Sequence, residues 1–484
     1  MAKTIFEYST PGRTGCSLPA RELDSRLEEL IPAEHLRQNK ARLPEVSELD
    51  VMRHYIGLSH KNHFIEKGLY PLGSCTMKYN PKLHEALVRH SCFNNLHPLQ
   101  PESTLQGILA ILYELQGMLA EISGMDQVTL QPVAGAQGEF TGIKIIAAYH
   151  KARGNHHKTK IIIPDSAHGT NPATCTLVGY QMVELKSNAS GRCDLDHLRS
   201  IVDENTAGFM LTNPNTLGLF ESQIEEIAAI IHGVDGLIYM DGANLNALMG
   251  IVQPGKIGFD VMHFNLHKTF TTPHGGGGPG GGPVGVVSKL TPYLPVPMIA
   301  RNDDGYHFDY SHEATSIGKV HTFYGNVAVL LRACFYIRSL GAEGLRKVSQ
   351  NAILNANYLM ALLKEHYHIQ YDEYCMHEFV ADSSWQKKEQ GVNTLDIAKR
   401  LLDKGFHAPT IYFPLIVPEA LMIEPTETES KQSLDDFAAA MLEIAQECRD
   451  NPVLLHEAPL TTPVRRVDDV RAVKVLDPKF GLDD

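Results

Sequence analysis

Between residues 160 and 288, short apolar runs alternate with longer segments, and each run stops abruptly at polar residues. The runs are Lys160–Ile163, Gly208–Leu211, Leu237–Met240 and Phe259–Asn265, and Pro283–Ser288 resumes the pattern. Apolar runs of this length, bounded by turn residues, predict strands buried on both faces. Amphipathic stretches such as Phe220–His232 separate them, which predicts a mostly parallel sheet with helices on both faces, an α/β fold. In open sheets of this kind ligands bind outside the carboxyl ends of the strands. His168, Thr212, Asn213, Asp241 and Lys268 all lie just past such ends, so the pattern that predicts the fold also gathers a candidate site.

Two of those residues point to a particular chemistry. A lysine directly after a buried strand sits where its neutral amine is within reach and can condense with an aldehyde. A carboxylate at the end of the preceding strand can hold a pyridinium nitrogen. Lysine as Schiff base with an acidic partner on the ring nitrogen is the signature of pyridoxal phosphate enzymes. Upstream, Ala134-Gly135-Ala136-Gln137-Gly138 opens a predicted helix running to about Lys151. Small residues there expose backbone N–H groups and the positive end of the helix dipole, an anion site suited to phosphate, although they also serve close packing. His168 could stack on a flat ring. After Lys268 come His274 and a run of seven glycines around Pro279 (275–282), which does not match GxxxxGK[ST]. It reads as a loop whose backbone passes close to the cofactor or a neighbouring subunit.

The chain of 484 residues is too long for one compact core. Residues 1–80 are polar and proline-punctuated, with short helices predicted at Arg21–Leu30 and Ser47–Ile56, and read as an extended arm ending in YPLGSCTMKYNP, which reads either as a Pro/Gly loop or as a piece that reaches an active site. Residues 81–325 form the α/β domain. From residue 326 the chain reads as a smaller C-terminal α+β domain, with helices at Asn326–Leu340, Glu343–Lys364, Thr394–Lys404 and Ser433–Cys448. His377–Ala381 is strand-like, Thr410–Val417 is apolar, and Ala420–Glu424 follows it. A net charge of -13 argues against a nucleic-acid partner. No apolar run of about 18 residues predicts a membrane span. Eight cysteines without a CxxC pair suit reduced thiols in the cytoplasm better than a disulfide frame or a metal site.

YPLGSCTMKYNP, LQPVAGAQGE, DSAHGTNPA, TNPNTLGLFE, DGANLNA, NLHKTFTTPHGGGGPG and HTFYGN together resemble the P-protein, the glycine decarboxylase of the glycine cleavage system, over residues 70 to 326. The later EPTETES is also similar. The likeness is to the half of that enzyme carrying the lysine, which some organisms make as a separate chain. It implies a fold type I pyridoxal phosphate enzyme. Glycine would be its substrate and a lipoylated H-protein its acceptor, with subunit 1 as companion, two copies of each chain. By position, Lys268 would carry the cofactor, Asp241 would pair with the ring nitrogen, and His168 and Ala243 would cover the two ring faces. Gly135, Ala136 and Gln137 would contact the phosphate, Thr322 would contribute from a neighbouring chain, and Thr212, Asn213 and Asn244 would be polar neighbours. Other readings are a different fold type I enzyme, such as an amino acid decarboxylase or hydroxymethyltransferase, or a non-catalytic assembly subunit.

Overall fold

Alternate residues of the central strands enter opposite hydrophobic clusters. Ile162, Phe209, Ile238, Met240, Met262 and Phe264 join one, while Ile161, Ile163, Met210, Leu237, Tyr239 and Val261 join the other. Side chains on a strand point alternately to its two faces, so a run apolar at every position is satisfied only when both faces are covered. The computed structural model, which describes residues 3–19, 24–39, 41–275 and 278–477, shows such a sheet.

Seven strands build it: β1 Gln127–Thr129, β2 Lys160–Pro164, β3 Gln181–Leu185, β4 Thr206–Thr212, β5 Leu237–Gly242, β6 Val261–Phe264 and β7 Val284–Val286. They lie in the order β1-β7-β6-β5-β4-β2-β3. The β3-β2-β4-β5-β6 part is parallel, and β7 is antiparallel to both β6 and β1. One face is covered by helix Gly135–Ala152, whose Ile143, Ile146 and Tyr149 enter the second cluster. The other face packs against helices Gln106–Ser123 and Ile224–His232 and the first half of Val327–Leu363. The fold is therefore the α/β arrangement with a mostly parallel sheet that the alternating runs predict.

A second core gathers Leu69 with residues 356–455. Its sheet is antiparallel, β8 Phe379–Asp382 and β9 Thr410–Ile411 on either side of β10 Ala420–Ile423. The two helices expected at 326–364 are present within Val327–Leu363, separated at Gly341, whose φ of 61° and ψ of -176° are non-helical. Of the apolar stretch Thr410–Val417 only Thr410–Ile411 is strand, because Tyr412 turns to φ 57° and Pro414 cannot donate to a ladder.

The chain divides into two compact units, Gly68–Leu460 and a second made of Met1–Lys67 with Thr461–Asp484. The second unit, among its described residues, contains short helices and no strand. Helix Glu48–Ser59 begins with a capping box in which Ser47 and Asp50 exchange bonds. Leu49, Met52, Tyr55 and Ile56 on this helix are exposed. Of the helix expected at Arg21–Leu30, residues 21–23 lie outside the described ones, and Leu27–Leu30 is helical. Among the described residues no helix is long and apolar enough to cross a membrane.

Candidate active site

Three neighbouring parallel strands end side by side, and the residues at and just past those ends build the site. β4 ends in Thr212, β5 carries Asp241 as its fifth residue, and β6 leads into the turn of helix Leu266–Thr269 that holds Lys268. Thr212 and Asp241 are register partners. Helix Gly135–Ala152 points its first turn at the same place. Together with the loop after β2 these elements line a cavity of about 190 Å³. Gly135, Ala136, His168, Thr212, Asp241, Ala243 and Lys268 all line it.

Asp241 is 3% exposed. Its Oδ2 accepts from Asn171 Nδ2 at 3.1 Å and its Oδ1 from the Ala243 amide at 3.0 Å. His263 Nε2 stands 3.5 Å from Oδ1 and is oriented by the Tyr239 hydroxyl, 2.6 Å from Nδ1. Burial pushes the Asp241 carboxyl up, but His263, the Ala243 amide, Lys268 and Asn171 outweigh it and hold the carboxyl below its ordinary range. An ionised acid at the floor of a cavity is a partner for a protonated ring nitrogen.

Lys268 is half-buried, and among the described residues nothing bonds its Nζ. Two histidines beside it are kept neutral. Burial first, then the Lys268 charge, lowers His267 to about 3 and His274 to about 4. His168 is exposed on the rim, its Nδ1 3.0 Å from the Thr170 hydroxyl and its ring edge-on to Phe413.

The helix-opening loop is built for close approach. A Cβ on Gly135 would lie 2.4 Å from Asn265 Oδ1, and one on Gly282 would lie 2.0 Å from the Ala134 carbonyl. The glycine run thus passes against the loop that opens the helix, with Gly282 N donating to Pro132 O at 2.9 Å. Gly276 and Gly277 lie outside the described residues. The first-turn amides, a buried ionised acid, an amine and the buried, unpartnered hydroxyl of Thr212 form the donor set that a flat phosphorylated aldehyde with a ring nitrogen requires.

Four expected residues lie elsewhere. Gln137 closes its own loop, accepting from Val133 N at 2.7 Å and donating to Val320 O at 2.8 Å. Asn244 is fully buried and donates to Pro214 O at 2.9 Å. Asn213 accepts from Glu221 N at 2.9 Å. Thr322 is exposed and does not line the cavity.

The cavity also holds Ser74, Glu139, Thr170, Thr216, His263, Asn265 and His267, which sequence reasoning did not single out. Glu139 comes directly after the small-residue loop, as the fifth residue of helix Gly135–Ala152, past the first turn where an acid would have been a readable signal. It accepts from the hydroxyls of Thr170 at 2.7 Å and Thr174 at 3.1 Å. Glu139, Asp241 and His263 each bring one ligand-type atom within 4.8 Å, but hydrogen bonds to neighbours account for all three.

Burial first, then the charge of Asp241, raises Glu139 from its ordinary 4.5 to about 7. A carboxyl whose folded pKa is raised holds its proton better folded than unfolded, so its contribution is intact below 4.5 and is lost as pH rises through about 7. Glu139→Gln should therefore flatten the fall in Tm of the cofactor-free chain across that window. Thermal scans at stepped pH check this, and an unchanged slope would count against it.

Comparison with known proteins places these features in a family. A family model described as glycine cleavage system P-protein matches residues 16–307, and one described as glycine dehydrogenase, C-terminal domain, matches 348–455. A Halalkalibacterium halodurans protein named probable glycine dehydrogenase (decarboxylating) subunit 2 is 58% identical over 97% of this chain and 96% of its own length. A Bacillus cytotoxicus protein of the same name is 55% identical over the same shares. Among solved structures, glycine decarboxylase (P-protein) of the glycine cleavage system in inhibitor-bound form superposes with a TM-score of 0.73 at 22% identity, covering 87% of this chain and 95% of that one. Lactobacillus brevis glutamate decarboxylase superposes with a TM-score of 0.65 at 15% identity, covering 86% and 97%. At those identities the solved structures establish the shared fold.

Proposed function

The chain belongs to the glycine cleavage system P-protein family, and we propose that the cavity around Lys268 is where it works with pyridoxal phosphate. Its activity is that of a glycine dehydrogenase (decarboxylating) subunit, the decarboxylation of glycine. The observation that carries the cofactor reading is the meeting of Lys268, Asp241, His168, Thr212 and the Gly135 helix start in one cavity at the strand ends. Relatives at 55–58% identity under one name displace the other fold type I readings.

When bound, pyridoxal phosphate supplies an aldehyde for an amine and an electron-withdrawing ring that accepts the electrons released with carbon dioxide. The chain's own groups do the rest. Lys268 Nζ, without a hydrogen-bond partner among the described residues, is the amine that would hold the aldehyde. Asp241 holds the proton on the ring nitrogen, and Asn171, the Ala243 amide and His263 keep that carboxylate ionised and oriented. The amides of Gly135 and Ala136 at the helix start take the phosphate, with Gln137 shaping their loop. His168 and Ala243, which line the cavity, would cover the ring, and Thr212 would offer a hydroxyl. Asn244 buttresses the wall behind them. Thr322, outside this cavity, would serve the cavity of a neighbouring chain.

The aminomethyl group passes to a lipoylated H-protein, and the working assembly contains a subunit 1 chain, two copies of each, in the cytoplasm. Of the expected arm 1–80, the part before Gly68 acts toward that companion, with 81–325 as the cofactor domain and 326–484 as the small domain. Exposed apolar side chains on helix Glu48–Ser59 support the role of the arm. The chain alone should be poorly active. Exchange of labelled bicarbonate into the glycine carboxyl, measured with H-protein and with or without subunit 1, tests both points. No exchange from the full set would sink the glycine reading, and full exchange without subunit 1 would remove the companion.

A further inference from the structure

The segment 70–79 is tied down at alternate residues by acids of the small core. Ser74 N donates to Glu378 Oε2 at 2.6 Å, and Thr76 N donates to Glu424 Oε2 at 2.9 Å. Lys78 Nζ, 3% exposed as a residue, pairs with Glu427 Oε1 at 2.9 Å. Just before these ties Leu72 bridges Ile423, and a Cβ on Gly73 would lie 2.2 Å from Met422 Cγ, so the segment lies directly on β10.

Ser74 and Thr76 adopt φ of 62° and 50°. Non-glycine residues take that conformation only where their surroundings over-determine it, which is common at functional sites. Here the bends aim both amides at fully buried carboxyls, and glutamates are seldom buried without a task. Glu378, Glu424 and His377 each bring one polar atom within 4.8 Å of the others. Such a cluster is costly to keep.

The strap delivers Ser74 to the cavity that contains Lys268. The lining there includes no arginine to receive a carboxylate. Of its hydroxyls, Thr170 donates to Glu139 and Thr216 to the Ser166 carbonyl. Those of Ser74 and Thr212 make no hydrogen bond among the described residues. Thr212 comes from the strand ends beside Asp241, whereas Ser74 alone arrives from the strap.

We infer that Glu378, Glu424 and Glu427 are positioning residues that clamp the strap, and that the Ser74 hydroxyl they hold in the cavity binds the carboxylate of glycine. This rests on the assignment of glycine as the substrate.

The test uses the assembled enzyme with both subunits and cofactor. Glu378→Ala removes the acceptor of the Ser74 amide, whereas Glu378→Gln keeps an acceptor oxygen on a side chain of the same length. Loss of one hydrogen bond to the substrate carboxylate should raise the KM for glycine about tenfold in Ser74→Ala, with kcat changed far less and cofactor affinity unchanged. Glu378→Ala should raise KM similarly and speed amide hydrogen exchange across residues 70–79 in the cofactor-free chain as well. Glu378→Gln should restore both, and Ser74→Ala should leave exchange as in the parent. A parental KM in Ser74→Ala, which removes one hydroxyl without touching the clamp, overturns the inference even if Glu378→Ala fails to fold. So does a Glu378→Gln enzyme as impaired as Glu378→Ala. In either case parental bicarbonate exchange leaves the glycine reading standing, while a parent that never turns over glycine removes both.

Discussion

Lys268→Ala will give a folded chain that borohydride no longer fixes to pyridoxal phosphate and whose glycine–bicarbonate exchange falls by at least about a thousandfold. The fold should survive because no hydrogen bond among the described residues depends on the amine. Lys268 is half-buried, and no described residue bonds its Nζ. The short helix Leu266–Thr269 is anchored by the buried side chains of Leu266 and Thr269, with Phe270 buried just beyond, and alanine is a good helix former. Truncation at a site without packing or pairing should move Tm by no more than about 2 °C. Activity should collapse because no other lysine lines the cavity. Mass spectrometry of the reduced, digested protein reads the adduct directly. An adduct still formed in Lys268→Ala, or exchange near the parent's, would show that the lysine is misassigned.

The sheet was legible where strands are buried on both faces. β2, β4, β5 and β6 are runs of apolar residues, and their ends led to Thr212, Asp241 and Lys268. β3 was not, since Gln181, Met182 and Glu184 are exposed on an edge strand and carry no buried run. Helix Thr170–Val178 was hidden in a loop-like stretch containing Asn171-Pro172, where proline reads as a breaker although it is tolerated in a first turn. Cavity residues supplied by the sheet could be anticipated from strand ends, and YPLGSCTMKYNP was open to reading as a piece that reaches an active site, as Ser74 does. What no periodicity encodes is how it is held there, by ties to Glu378 and Glu424 more than 300 positions away. The available hint was an acid set against an apolar run, in HEFVA and ALMIE, where burial without a partner would be costly.

Asp241→Asn should keep cofactor affinity within a few-fold yet reduce turnover by roughly a hundred- to a thousandfold, the effect of removing one preorganised electrostatic group. The substitution is close to isosteric in a position 3% exposed. Asparagine can still accept the Ala243 amide, which donates to Asp241 Oδ1 at 3.0 Å. Its new N–H₂ would face Asn171 Nδ2, a donor meeting a donor. The Asn171 Oδ1 is buried without a partner, so rotating that amide supplies the missing acceptor. The hydrogen bonds can therefore be remade, and what is lost is the charge that keeps the ring nitrogen protonated. That loss carries a second mark. The Asp241 charge is, after burial, the main influence raising Glu139 to about 7, so in Asp241→Asn the Glu139 carboxyl should titrate at lower pH. Stability in the cofactor-free variant should then decline with pH over a narrower window above 4.5 than in the parent. Steady-state kinetics, cofactor titration and thermal scans from pH 4.5 upward through about 7 separate the two effects. Turnover within about tenfold of the parent would mean that Asp241 does not hold the ring nitrogen. An unshifted Glu139 would mean that the two carboxyls do not sense each other across the cavity floor.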